Sequence, residues 1–420
     1  MKKVLFLSYD GMTDPLGQSQ VITYLSGLVQ IGYEVSLISF EKKEKFQKLG
    51  ASIKFKLDAA NIRWYPLRFH SKPPVVAKWW DVQLMKTAAK RLHKKEKFDL
   101  VHCRSYIAGD IGLELKRKTG VKMLFDMRGF WADEKSEGGH WDKNNIFWKR
   151  VYQYYKKKEK ELITEADHII TLTNAAKKEI ESWNYYDKKI PITVVPCCAD
   201  SDLFSLTDGK QKQMARQKLG ISENAFVLGY LGSVGMWYML DEMLEFFSRL
   251  VMKMPDAIFL FITNAEKQVI LDKLPEHGLT ENNVQVVNVN YSEVSFYMKA
   301  SDISISFIRP VFSKKGSSPV KVGETLCMGI PLITNDIGDC GTIIKECNAG
   351  IVITDFSTSI YDGIISQIKI LKNSNRQMIR ENSLRYYGLT QGIESYAKVY
   401  NAMLHGNIGI ENKKQFENIN

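Results

Sequence analysis

Two stretches of the chain repeat one pattern: a short, unbroken apolar run, a turn, then a helix with a single apolar stripe. Val4-Leu5-Phe6-Leu7-Ser8 opens the first, and Phe226-Val227-Leu228-Gly229-Tyr230-Leu231 opens the second. Such a run, without polar alternation, suits a strand covered on both faces of a parallel sheet. Parallel neighbours need crossovers, and helices supply them. The pattern predicts an α/β fold with two doubly wound domains.

In the first half, a helix is expected over Val21–Gln30, stopped by Gly32, and a strand over Glu34–Phe40. Short strands are expected at Ile53-Lys54-Phe55 and Ile62–Tyr65, and a basic helix at Val82–Lys95. Strands at Asp99–Arg104, Lys122–Asp126, His168–Thr173 and Ile192–Pro196 alternate with helices at Ile107–Thr119, Phe147–Glu165 and Asn174–Trp183. Asp200–Gln211 is polar and turn-rich, as a linker is. Beyond it, strands at Ile258–Thr263, Val284–Val287 and Ile303–Ile308 carry the alternation onward, and helices at Arg376–Tyr387 and Gly392–Leu404 finish the fold.

Ligands of doubly wound sheets bind at the carboxyl ends of strands. Four loops there carry chemistry. Asp10–Gln20 follows the first strand, and its Gly17 lets a phosphate or sugar approach the backbone. Met127–Glu134 places charges beside Phe130 and Trp131, with Asp126 ending the strand before it. Gly232–Tyr238 is glycine-flanked. Arg309–Glu324 brings Arg309, Lys314, Lys315 and Lys321 together with one carboxylate, Glu324.

Within the last of these, Ser317 and Ser318 can cap a helix and Pro319 suits its first position. Lys321 and Glu324, three apart, share one side near its start. Helix-start amides and an ammonium suit a phosphate, and a carboxylate suits a sugar diol. Each loop also has a plainer reading: a capped helix with a surface ion pair, a simple βα turn, or a structural ion pair. His102 reads as structural.

The net charge of +11 calls for a negative partner: a nucleotide, an anionic membrane surface or nucleic acid. Aromatics alternate with cations along Phe147–Lys160, and Trp79-Trp80 stand beside Lys78. Both suit a membrane interface, or an amphipathic helix with its rings in the core. The 6 cysteines show no C-x-x-C pair and no interleaved histidine, so neither a disulfide framework nor a zinc site is expected. No apolar run approaches the about 20 residues of a membrane span. The expectation is a cytoplasmic protein, soluble or peripheral on the inner membrane face.

The chain resembles the retaining glycosyltransferases of family 4, which have the GT-B fold. The motifs are Asp14-Pro15-Leu16-Gly17-Gln18-Ser19-Gln20, Phe125-Asp126-Met127-Arg128-Gly129-Phe130-Trp131-Ala132-Asp133-Glu134, Leu231-Gly232-Ser233-Val234-Gly235-Met236-Trp237-Tyr238 and Ser317-Ser318-Pro319-Val320-Lys321-Val322-Gly323-Glu324. The resemblance implies two Rossmann-like domains facing a central cleft. Residues 1–200 form the acceptor-side domain and 201–388 the donor-side one. Residues 389–420 form a helix returning to the first domain, and a tail that is loose after His405.

It also implies transfer of a sugar from a nucleotide-sugar donor to a glycan or lipid-linked acceptor, in surface polysaccharide or lipopolysaccharide synthesis. No metal, cofactor or nucleic acid is expected. Glu324 matches the glutamate on the donor ribose; Lys321, Gly232 and Ser233 match positions near the diphosphate, and Gly17 the first-loop contact. Arg309, Lys314 and Ser318 complete the expected donor set, and Asp126, Arg128 and Lys321 the expected catalytic one. The family often carries a second glutamate eight positions before the first; here that position is Gly316, so its contact with the transferred sugar is unassigned. The family's histidine loop corresponds to Met127-Arg128-Gly129, which has no histidine. A nucleotide-sugar epimerase of the same fold and a basic nucleic-acid-binding protein are the competing readings.

Overall fold

The computed structural model describes residues 1–405; the tail expected to be loose after His405 lies outside them. The seven strands of the first sheet are β1 (Lys2–Ser8), β2 (Tyr33–Glu41), β3 (Arg63–Arg68), β4 (Leu100–Arg104), β5 (Lys122–Asp126), β6 (His168–Thr171) and β7 (Ile192–Val194). Six more form a second sheet: β8 (Val227–Leu231), β9 (Ile258–Ile262), β10 (Val284–Val287), β11 (Ile303–Ser306), β12 (Leu332–Asn335) and β13 (Gly350–Ile353).

The first sheet is ordered β3-β2-β1-β4-β5-β6-β7 and the second β10-β9-β8-β11-β12-β13. Every named pair is parallel. The apolar runs explain why. Val4, Leu5 and Leu7 are inaccessible to solvent, as are Val227 and Leu228, so helices cover both faces. Strand order reverses between β1 and β4, and again between β8 and β11, the switch points that open ligand crevices in such sheets.

The Leu389–His405 helix lies on the first lobe. Tyr396 packs edge-on to Tyr24 at 5.3 Å and Tyr400 to Tyr33 at 5.1 Å. The crossing at 199 and the return at 388 run side by side, joined by the Ala199 N–H to the Tyr387 carbonyl at 2.7 Å.

Three local expectations are corrected. Ile53-Lys54-Phe55 is no strand but part of the Lys43–Ala59 helix. Ile53 and Leu57, one turn apart, are buried while Phe55 is 75% exposed; helical spacing outweighs a three-residue alternation. The first helix begins at Pro15, not Val21, and runs to Gln30 through a π-helical turn at Gln18–Ile22. The Val320–Cys327 helix has Pro319 at its cap with no serine side chain capping it. The Ser318 hydroxyl instead accepts from the Cys197 N–H at 3.1 Å.

Candidate active site between the lobes

All four expected loops leave the carboxyl ends of strands: β1, β5, β8 and β11. The first is shaped from beneath by a residue the sequence reading passed over. Glu41, buried at the end of β2, accepts from the Met12 N–H (2.7 Å), the Thr13 N–H (3.1 Å) and the Thr13 hydroxyl (2.6 Å). Gly17 is packed so closely on Gly11 and Met12 that a Cβ there would overlap the Gly11 carbonyl.

In the second lobe, Lys321 and Glu324 are both buried. The Lys321 ammonium donates to the Tyr230 hydroxyl at 2.9 Å and stands 3.5 Å from the Tyr238 ring centroid. No carboxylate lies within ion-pair reach of it among the described residues. Gly232, at φ +115°, lets the chain turn directly over this ammonium; a Cβ there would stand 3.1 Å from Nζ. Burial pushes the Lys321 pKa well down, and Glu324 only partly restores it.

Glu324 accepts from the Tyr291 hydroxyl at 2.8 Å, and Ser19 of the first loop faces the same Tyr291. Burial raises the Glu324 carboxyl to about 7 against the pull of Tyr291 and Lys321. Two buried ionisable groups thus stand without ionic partners, side by side on one helix. A ligand bringing a negative group to Lys321 and hydroxyls to Glu324 would satisfy both.

The expected first-lobe residues stand differently. Asp126 accepts from Tyr396 at 3.1 Å and faces His102 at 3.4 Å, Arg104 at 3.8 Å and Arg128 at 3.8 Å. Burial alone would raise its pKa; Arg128, His102 and Arg104 outweigh it and bring it to about 2. His102 bonds Tyr400 at 2.7 Å, which ties Asp126 to the C-terminal helix. Arg128 has φ +58° in the turn before Gly129, and its guanidinium donates to the Cys197 sulfur at 3.1 Å.

Lys314, expected to be free for a diphosphate, is buried: it donates to Glu134 of the first lobe at 2.9 Å and lies 3.8 Å from the Trp237 ring centroid. Arg309 and Ser233 are exposed. The Arg309 N–H bonds the Trp237 carbonyl at 2.9 Å, so it flanks the glycine loop. A cavity of about 630 Å³ between the lobes is lined by Thr173, Asn174, Ser317, Ser318 and Asp339, not by Lys321 or Glu324.

The lobes touch along this seam. Gly316 meets Gly129 so closely that a Cβ would stand 2.9 Å from the Gly129 Cα, while Phe312 packs on Phe130 at 5.0 Å. A side chain at Gly316 would therefore have to displace the Gly129 backbone. The Asp339 carboxylate accepts from the Asn174 and Ala175 N–H groups at 2.5 and 3.0 Å. The tyrosines 230, 238 and 291 were missed in the sequence; Tyr238 alone had a signal, as the end of the glycine loop.

Two facing doubly wound lobes with their ligand loops at the shared seam define the GT-B class. The solved structure of sucrose-phosphate synthase from Thermosynechococcus elongatus matches with a TM-score of 0.71 and 14% identity, covering 96% of this chain and 99% of that one. Anabaena Alr3699/HepE, solved in complex with UDP-glucose, matches with a TM-score of 0.68 and 15% identity, covering 96% and 100%. Residues 17–203 match the Glycosyltransferase Family 4 model, and residues 211–385 match Glycosyl transferases group 1. The chain belongs to this glycosyltransferase family.

Among curated relatives, D-inositol 3-phosphate glycosyltransferase of Corynebacterium urealyticum is 22% identical over 268 residues, 61% of this chain and 59% of that protein. UDP-Gal:alpha-D-GlcNAc-diphosphoundecaprenol alpha-1,3-galactosyltransferase of Escherichia coli is 24% identical over 272 residues, 63% and 64%. The matches span about six tenths of the length of these relatives. No helix of the described residues is long and apolar enough to cross a membrane.

Proposed function

We propose that the protein is a retaining, metal-independent glycosyltransferase that moves a sugar from a nucleotide-sugar donor to a lipid-linked glycan acceptor, in surface polysaccharide or lipopolysaccharide assembly at the cytoplasmic face of a membrane. The observation that carries this reading is the buried, unpaired Lys321 beside Glu324 at the carboxyl end of the second sheet. The UDP-glucose bound by Alr3699/HepE and the donor and acceptor in the E. coli relative's name support it.

The chemistry follows from charge. When the bond from the anomeric carbon to the diphosphate oxygen breaks, positive charge grows on the sugar and negative charge on the leaving group. The Lys321 ammonium and the first amides of its helix stabilise the departing diphosphate. Glu324 accepts from the ribose hydroxyls and fixes the donor. The acceptor oxygen bonds the anomeric carbon on the face that the diphosphate leaves, and a diphosphate oxygen takes its proton, so configuration is retained without an enzyme nucleophile. Asp126 holds Arg128 and His102 in place behind the seam.

Thermal shift against a panel of nucleoside diphosphates tests this reading, since a ligand bound only by the folded state raises the melting temperature. A rise with at least one of them is expected; no rise with any would overturn it. Donor turnover that does not depend on an acceptor would point to an epimerase instead.

A further inference from the structure

The carboxyl end of the first sheet holds a pair of cations with no carboxylate at ion-pair distance among the described residues. Lys78 lies on the Pro74–Glu96 helix. Its ammonium stands 4.6 Å from the ring centroid of Trp131, 5.8 Å from that of Tyr155 and 5.9 Å from that of Tyr9. Lys135 approaches the same Trp131 ring at 6.0 Å. Among the described residues neither lysine has a carboxylate within ion-pair distance. The nearest acid on the helix, Asp81, is committed to the Tyr9 hydroxyl at 3.1 Å and to His70 at 2.6 Å. Burial, with Lys135 adding to it, lowers the Lys78 pKa to about 8.

Two ammonium groups sharing one indole repel each other, and no carboxylate of the described residues lies at ion-pair distance to offset that repulsion. The place is one where ligands bind. Tyr9 follows β1 directly, and Trp131 follows the turn after β5. The short helix that carries Trp131 and Lys135 also carries Glu134 and Glu137, which hold Lys314 and the Ser313 N–H of the second lobe. The pair therefore borders the seam where transfer is proposed.

Beside the pair, the first turns of the Lys78 helix present an apolar face to solvent. Val75, Val76, Trp79 and Trp80 are 53%, 61%, 59% and 51% exposed. Large apolar residues clustered at a cationic edge need an occupant that is oily at one end and anionic at the other.

We infer that this is the acceptor headgroup site: Lys78 and Lys135 hold the phosphate or diphosphate of a lipid carrier, and its hydrocarbon chain leaves across Val75–Trp80. The inference rests on the lipid-linked acceptor proposed above and names the residues that would recognise it. Anchoring the phosphate there leaves the carrier's sugar end to reach the seam, while Trp79 and Trp80 meet the bilayer.

Calorimetric titration of the full chain with farnesyl diphosphate, farnesol and inorganic pyrophosphate tests it, with saturating UDP present to occupy the Lys321 end. Farnesyl diphosphate is expected to bind tightest. Lys78→Gln and Lys135→Gln should each weaken it by about tenfold, with the UDP thermal shift unchanged. Trp79→Ser with Trp80→Ser should shrink its advantage over pyrophosphate. Unchanged affinity in both lysine variants would overturn the site. Farnesol binding as tightly as its diphosphate would remove the phosphate role, and pyrophosphate binding as tightly as farnesyl diphosphate would remove the lipid. If wild-type protein shows no UDP shift, the donor reading fails separately, and the lysine comparison still decides this one.

Discussion

Each lobe buries a candidate carboxylate near the seam, Asp126 in the first and Glu324 in the second, and the two are held in opposite ways. Asp126 faces His102, Arg104 and Arg128, accepts from Tyr396, and is drawn to about 2. Glu324 meets a single tyrosine hydroxyl and rises to about 7. A carboxylate whose charge is answered by the protein stabilises the protein. One whose charge is unanswered is set up for something that arrives later. Both were site candidates in the sequence; on the reading proposed above, the contrast would make Asp126 a positioning residue and Glu324 a ligand contact.

The largest effect that could break this contrast is at Asp126. Asp126→Ala leaves Arg128 and His102 buried without their anion, and should cost about 3–5 kcal/mol in chemical denaturation. A loss no larger than that of a surface substitution would make Asp126 no more structural than Glu324. Next comes Lys321→Ala, which removes a buried cation with no ionic partner. Folding stability should hold or rise while kcat/KM falls by about 100- to 1000-fold; near-normal turnover with donor binding intact would end its role at the leaving group.

Glu324→Gln sharpens the contrast through pH. The folded carboxyl titrates at about 7 against 4.5 for a free one. The folded state therefore binds the proton more tightly, and stability falls as pH rises across that window. The variant should lose this fall, its melting curves parting from wild type only as pH rises. Donor affinity should drop by about 1.5–3 kcal/mol at neutral pH. Wild-type affinity should rise about tenfold between about pH 6 and about pH 8 as the carboxylate forms; a pH profile identical in the two proteins would refute the assignment. The smallest effect is at the seam. Gly316→Ala should cost about 1–3 kcal/mol by forcing Gly129 away, read by denaturation and by a larger radius in small-angle scattering.

The sequence showed the lobes because their strands are continuous apolar runs, and it showed the loops because those runs end where ligands bind. The partners were not legible. Asp126 stands beside Arg128 in its own loop, but its Tyr396 partner lies 270 residues away on the C-terminal helix. Tyr291 reaches Glu324 from the helix after β10, and only the packing of that helix brings them together. Lys314 looked like a phosphate ligand because no local feature places Glu134 of the other lobe against it. The strand expected at Ile53–Phe55 failed for the reverse reason: three residues carry too little periodicity to outvote the long helix around them.

The polypeptide passes between the halves once near Ala199 and again near Gly388, and those two segments are laced together. A single flexible tether would let one half swivel freely about the other. Two laced tethers act as the spine of a book: they permit opening about one line and resist both shear and twist. Any reopening of the two halves would therefore return Ser19, Tyr291 and Glu324 to the same registry.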